Sequence, residues 1–311
     1  MNILISVIIC THNRADYLPK AIQSLIDQHT PKDKYEIIIV DNCSTDATKK
    51  VVEQFSNRGN IRYLYESTLG LSYARNTGWR NANGKYVAYL DDDAIACPAW
   101  LEKILEVFES VTPRPGCVGG RVEPIWEASR PEWLSDGLLH GLTIIDWSDT
   151  PRALTNLSAE WLVGANIAFP LDVLKNNGGF TSGLDRVGNN LLSSGDVFLE
   201  KQITKMGYSC FYHPAISIAH HIFKSRLNQG WFIRRYYWQG VSDAAMQILQ
   251  ERPSVFQRLR SAVAKVKVFI KSPKKIHRLM LPTNDPEQFT QKCFDLITLG
   301  QIYGLLRVAM P

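Results

Sequence analysis

The sequence predicts an α/β protein with a mostly parallel central sheet flanked by helices and a C-terminal helical extension. Three observations predict it. Short apolar runs alternate with amphipathic stretches through the first hundred residues, as strand–helix–strand units require. Polar clusters follow the apolar runs at three separate places, Thr11-His12-Asn13-Arg14, Asp41-Asn42 and Asp91-Asp92-Asp93. Parallel sheets bind ligands beyond the carboxyl ends of their strands. The last sixty residues change character, with apolar residues at helical spacing among Lys and Arg.

The elements follow in order. Ile5 to Cys10 is an apolar run of the kind a buried strand shows. Leu18, Ile22, Leu25 and Ile26 then recur at helical spacing. Tyr35 to Val40 reads as a second strand, and Val51, Val52 and Phe55 as a second helix. Ile61 to Tyr65 reads as a strand, Leu71 to Ala82 as a helix, and Lys85 to Leu90 as a fourth strand. Residues 112–160, with several Pro and Trp, read as irregular. Trp161 to Pro170 and Gly178 to Leu199 read as loop and short strand leading into a helix, with Asp196 near its start. After Tyr208 to Ile218 come His220 and His221, then a long helical stretch from about Leu227 to Gln250. Phe256, Leu259, Val263, Val266 and Ile270 form an apolar stripe that Ser272-Pro273 ends.

Composition narrows the class. The 311 residues are 45% hydrophobic and 21% charged, ordinary for a folded chain with a real core. No apolar run reaches the ~20 residues of a membrane span, and no charged leader precedes the first one. A cytoplasmic protein is the expectation, free or peripheral at the inner membrane face. The six cysteines form no CxxC pair and no zinc-like spacing, so buried reduced thiols are expected. The formal charge of +5 is local: residues 251–280 hold nine Lys/Arg and one Glu, and the rest of the chain is −3. Membrane-surface attachment of that segment and plain packing with solvated Lys/Arg stand level. Nucleic-acid binding is not expected, because interleaved exposed aromatics are missing. Neither GxGxxG nor a Walker P-loop occurs.

Three adjacent carboxylates at 91–93 repel unless a cation joins them. Mg²⁺ or Mn²⁺ would accept one or two of them together with phosphate oxygens. A solvated acidic turn is the competing reading. Asp41 can accept a hydrogen bond from a base or ribose, and Arg75 can pair with a phosphate or with a surface carboxylate. Asp196 is a candidate general base or a helix cap. His220 is a candidate metal ligand or a structural histidine. Trp126, Trp133, Trp147 and Trp161 can serve as aromatic platforms or as core residues.

These segments, taken together and in order, resemble family 2 glycosyltransferases of the GT-A fold. The resemblance rests on SVIICTHNR, IIIVDNCSTD, GLSYARNTG, YLDDDA, LVGANIAF, SGDVFLEKQITKMGY and RLNQGWFIRRYYWQG. It implies a GT-A-like domain over 1–225, with a donor-binding half over about 1–110 and an acceptor-side half over about 111–225. A C-terminal helical region would cover 226–311. It implies that Thr11, Asn13 and Arg14 line the nucleotide pocket and that Asp41 reads the base, with Arg75 near it. Asp91 and Asp93 match the acidic positions of the family's DXD motif, Asp93 on the metal and Asp91 on ribose or metal. Asp92 between them adds only local charge. Gly164 and Asn166 fall in the acceptor-side loop. Asp196 matches the catalytic base, and His220 a histidine near the metal and diphosphate. The implied activity is inverting, metal-dependent (Mn²⁺ or Mg²⁺) transfer from a nucleotide sugar, most often a UDP-sugar, to a glycan or lipid-linked acceptor in polysaccharide biosynthesis. One position departs from the pattern: the Glu that precedes the catalytic Asp is Gly195 here. That departure keeps open a non-catalytic nucleotide-sugar-binding subunit of an assembly system.

Overall fold

A computed structural model describes residues 3–188 and 190–307. The chain forms two compact units. The first takes the chain up to Ile125, Thr143–Ser182 and Gly195–His221; the second takes Trp126–Leu142, Gly183–Ser194 and the chain from Ile222 onward. Two short excursions inside the expected first domain therefore belong with the C-terminal helices.

In the first unit, β1 (Ile5–Thr11), α1 (Leu18–Ile26), β2 (Tyr35–Asn42), α2 (Thr48–Glu53), β3 (Ile61–Glu66), α3 (Leu71–Arg80) and β4 (Tyr86–Leu90) alternate as the sequence pattern requires. Then follow β5 (Ala94–Ala96), α4 (Trp100–Ser110), β6 (Cys117–Gly119), β7 (Val122–Trp126), β8 (Arg152–Leu154), β9 (Asn166–Pro170), α5 (Leu171–Asn177), α6 (Gly195–Lys205), β10 (Cys210–Tyr212) and β11 (Ile218–Ile222). The main sheet has eight strands in the order β3-β2-β1-β4-β9-β6-β10-β8, and β5-β11-β7 form a second sheet. The first four strands of the main sheet run parallel. The other half is mixed, since β9 runs antiparallel to both β4 and β6. Residues 112–160 thus hold three short strands, where the sequence reads as irregular. Runs of three to five residues are too short to show a period.

The central strands are apolar on both faces. Ile5, Val7, Ile8 and Ile9 of β1 are buried, as are Ile37 to Val40 of β2. One face packs on Leu18, Ile22 and Leu25 of α1 and on Trp100 and Ile104 of α4. The other packs on Ala74 and Trp79 of α3 and on Leu199 and Ile203 of α6. Continuous apolar strands of this kind are what a sheet covered on both sides needs. All six cysteines are free thiols, and Cys117, Cys210 and Cys293 are buried.

In the second unit, α7 (Gln229–Glu251), α8 (Val255–Ile270), α9 (Pro273–Met280) and α10 (Pro286–Leu306) follow one another. Asn228 caps α7 through Trp231 N, and Ser254 and Gln257 form a capping box on α8. α7 and α10 approach closely, because a Cβ on Gly240 or Gly300 would overlap a backbone carbonyl of the other helix. Trp133 packs edge-on against Phe232 and Phe289 in this unit, a core role. No helix among the described residues is long and apolar enough to cross a membrane.

Candidate active site

Parallel pairing sets the site. In register, Thr11 at the end of β1 sits beside Asp41 near the end of β2. Asp91 begins the turn just past β4. The three polar clusters therefore share one sheet edge.

The turns beyond β1 and β2 are locked to each other. Asn13 (φ 53) and Cys43 (φ 62) both adopt left-handed backbone, a region Asn enters more readily than most residues. Asn13 N donates to Ser44 Oγ at 2.9 Å, and Asn13 Oδ1 accepts from Thr45 N at 2.7 Å. Asp46 accepts from Ala15 N at 3.0 Å. Asn13 thus serves as a tie between turns. Asp41 is buried, accepting from Ser44 N at 2.9 Å and from the Tyr63 hydroxyl at 2.7 Å. Burial and the Asp41 carboxylate push the Tyr63 phenol well up, so it stays a donor. Asn42 reaches across to the chain before α3, donating to Thr68 O at 2.8 Å and accepting from Gly70 N at 2.7 Å.

The acidic turn is built by a second piece of chain. β11 pairs antiparallel with β5 and brings His220 opposite Ala94. His221 N donates to Asp93 O at 3.0 Å. The result puts His220 Nε2 3.1 Å from Asp93 Oδ1, with both side chains almost fully buried. Arg14 Nη1 lies 3.6 Å from Asp93 Oδ2. Asp91, Asp93 and His220 each offer a ligand atom, all within 4.8 Å of one another. Two carboxylates and an imidazole fit a divalent ion such as Mn²⁺. His220 Nδ1 is buried and has no hydrogen-bond partner among the described residues. At Asp92, burial first and then the Asp93 charge push the carboxyl up, against the Arg14 charge. A cation at this turn would relieve that repulsion.

The opposite side of the site is organised by α6. Asp196 stands in its first turn, partly exposed, and its Oδ2 accepts from Gly164 N at 2.7 Å. Gly164 leaves room for the Arg75 guanidinium. A Cβ there would overlap Arg75 Nη2 and lie 2.8 Å from Arg75 Cζ. Arg75 is buried to 5% exposure, with Cζ 5.0 Å from the centre of the Phe180 ring. Asn166, two residues on at the start of β9, is fully buried. Its Oδ1 accepts from Trp100 Nε1 at 2.8 Å, and its Nδ2 donates to Arg121 O at 3.1 Å and Ile216 O at 2.8 Å. With its amide committed inside the protein, Asn166 holds the loop and presents nothing to solvent. Trp147 is similarly committed, its Nε1 donating to Trp161 O at 2.7 Å.

The profile of the family described as "Glycosyl transferase family 2" matches residues 6–164, slightly over half of the chain and spanning the edge just described. The chain belongs to glycosyl transferase family 2. It is similar to the glycosyltransferase AglE of Haloferax volcanii, 30% identical over 266 residues, covering 79% of this chain and 80% of that protein. It is also similar to the glucosyl-dolichyl phosphate glucuronosyltransferase of the same organism, 26% identical over 256 residues, covering 80% and 79%. Among solved structures, the mannosyltransferase PcManGT of Pyrobaculum calidifontis with GDP-Man and Mn²⁺ superposes with a TM-score of 0.62 at 19% identity, covering 96% of this chain and 87% of that one. TarS of Staphylococcus aureus with UDP-GlcNAc gives 0.56 at 17%, covering 79% and 67%. The fold of this glycosyltransferase is therefore GT-A.

The sequence reading passed over several residues that shape the family 2 site. Tyr63 holds Asp41, Phe180 backs Arg75, and Asn42 anchors the approach to α3. Glu200 was also missed; it is fully buried, and its Oε2 accepts from Leu162 N at 3.0 Å. The signal for Glu200 was its spacing, one helical turn beyond Asp196.

Proposed function

We propose that this family 2 glycosyltransferase moves a sugar, with inversion, from a nucleoside-diphosphate sugar of the UDP type to a hydroxyl of a glycan or lipid-linked acceptor. The observation that carries this is the meeting of Asp91, Asp93 and His220 at the sheet edge that also bears Asp41. Thr11, Arg14 and Asp41 would face the nucleotide, and Asn13 would shape their pocket. Arg75 would serve the diphosphate, its charge oriented by Phe180 and Gly164. Asp91, Asp93 and His220 would hold Mn²⁺ or Mg²⁺, which offsets charge on a departing diphosphate. Asp196 would accept the proton of the acceptor hydroxyl as its oxygen bonds to the anomeric carbon and the bond to the diphosphate breaks. Gly164 N keeps one oxygen of Asp196 fixed, and Asn166 keeps the loop that carries Gly164. Relatives with Mn²⁺ and GDP-Man, with UDP-GlcNAc, and with a dolichyl-phosphate name support donor, ion and acceptor classes.

The test is a thermal-shift and donor-turnover panel of nucleotide sugars with and without Mn²⁺. Stabilisation by one donor that needs Mn²⁺, with release of its nucleoside diphosphate, is the expected result. Gly195 favours a second reading, a nucleotide-sugar-binding subunit without catalysis. Donor binding with no turnover, alone or with any glycan or lipid-phosphate acceptor, would establish that second reading instead.

We further propose that α8 and α9 bring the protein to an anionic lipid surface. The stripe of α8 faces solvent: Phe256 is 75% exposed, Val263 52% and Ile270 69%. Met280 on α9 is 78% exposed. Arg252, Arg260, Lys267, Lys271 and Lys274 are exposed in the same stretch. Exposed apolar groups ringed by cations match an anionic bilayer, with acyl chains below and phosphates above. Co-sedimentation with phosphatidylglycerol vesicles at low salt should be strong, and weak with phosphatidylcholine alone. Equal recovery with both would remove the electrostatic part of the reading, and none with either would remove the surface altogether.

A further inference from the structure

We propose that Glu200 is a positioning residue which, with Asp196, sets the acceptor-side loop by a two-point clamp on its backbone. Asp196 Oδ2 takes Gly164 N–H at 2.7 Å and Glu200 Oε2 takes Leu162 N–H at 3.0 Å. The spacings match. Residues four apart on a helix share a face and lie about 6 Å apart along its axis. Alternate N–H groups of an extended segment point the same way at about 6.6 Å. One face of α6 therefore meets one edge of the segment Leu162–Gly164, at two consecutive contacts.

The environment of Glu200 suits such a post. It is 0% exposed, so it cannot touch an acceptor. Its Oε1 has no hydrogen-bond partner among the described residues, and the Sγ atoms of Cys117 and Cys210 complete a group within 4.8 Å. These cysteines face each other in register on β6 and β10. Burial first, then Cys210 and more weakly Asp196, drive the Glu200 carboxyl well up, toward the neutral acid. A neutral acid can accept from Leu162 through Oε2 and turn its O–H toward sulfur, a weak acceptor. The clamp therefore works through hydrogen bonding and not through charge. It also bears on Gly195: with no glutamate beside Asp196, the base would be placed from the loop side, by Gly164 N–H.

The inference rests on Asp196 being the base for its kinetic readout only; amide exchange reads the clamp directly. Glu200→Gln keeps an oxygen for Leu162 N–H and should keep both Leu162 and Gly164 amides protected. Glu200→Leu leaves a buried N–H unpaired and should speed exchange at both amides by on the order of 10-fold or more. In turnover, Glu200→Leu should lower kcat on the order of 10-fold with donor KM within about 2-fold, and Gln should restore it. Should Glu200→Leu fail to fold, Glu200→Asp, one methylene short of Leu162, carries the same expectation. Gln as damaging as Leu would overturn the clamp, because charge would then be needed. Stoichiometric zinc in the purified protein, lost in Cys117→Ser, would overturn it too, since the cluster would then be a metal site.

Discussion

Gly164→Ala should weaken nucleotide binding while leaving the fold intact. The added Cβ would lie 2.8 Å from Arg75 Cζ and 3.2 Å from Nη1, and would overlap Nη2. Ordinary contacts start near 3.5 Å, so the guanidinium must withdraw by roughly 1 Å. It cannot slide freely, because Arg75 is buried against the Phe180 ring. The obstacle is nevertheless the end of a long side chain, not backbone. The stability cost is then the loss of part of the cation–π contact, about 1–2 kcal/mol, or a few degrees in Tm. The functional cost is weaker nucleotide affinity, on the order of 10-fold or more, since a withdrawn guanidinium loses its charge-assisted hydrogen bonds to a phosphate. Calorimetric titration with UDP and Mn²⁺, beside circular-dichroism melts, measures both. Arg75→Ala supplies the cycle: if the guanidinium carries the effect, Gly164→Ala adds almost nothing in that background. Full nucleotide affinity in Gly164→Ala, or an undiminished penalty in the Arg75→Ala background, would refute the reasoning.

Four other predictions follow from the geometry. Asp196→Asn should lower turnover by about 10³-fold while nucleotide affinity stays within about 2-fold; a variant that still turns over at the wild-type rate removes Asp196 as base. Asp93→Ala should abolish Mn²⁺ dependence of donor binding, seen as identical titrations with and without the ion. Asn166→Leu should cost about 2–4 kcal/mol in urea unfolding, because it strands Trp100 Nε1 and Ile216 O in the core, while Arg121 O keeps the Ile218 N–H. Glu200→Gln should stabilise the protein increasingly as pH rises. The folded acid is shifted up, so wild type loses stability from the ordinary carboxylate range upward, at most about 1.4 kcal/mol per pH unit. Melts of the two proteins should coincide near pH 4 and separate above it; a constant gap would contradict the shift.

The first half of the fold was legible because its central strands are long and apolar on both faces. Ile5 to Cys10 and Tyr35 to Val40 stand out from the helices between them. The second half was not, since β6, β8 and β10 have three residues each and carry no period. The candidate site divides along the same line. Asp41, Asp91 and Asp93 follow strands visible in the sequence. Partners that arrive from far along the chain, such as Tyr63 for Asp41 or Trp100 for Asn166, leave no local trace. The stripe of α8 was legible as a helix, but periodicity alone did not say which way it faced. Only Ala262 and Phe269 of α8 turn inward, and both lie off the stripe formed by Phe256, Val263 and Ile270.

The departure at Gly195 reads differently once α6 is placed. A glutamate there would set a second carboxylate beside Asp196, in the first turn of a helix whose next turn already carries Glu200. The Asp196 charge already contributes to the upward shift of Glu200. A third acid within two turns would raise that cost, because like charges at short range disfavour ionisation. The chain instead has an acid at 200 that is buried, favoured in its neutral form and bonded to backbone, and an acid at 196 that keeps partial exposure. Asp196 is then oriented by Gly164 N–H rather than by a neighbouring side chain. Orientation by a backbone donor is set by where the loop lies. On the proposed mechanism, the residues that fix the loop, Asn166 and Glu200, would act on the reaction through the placement of Asp196.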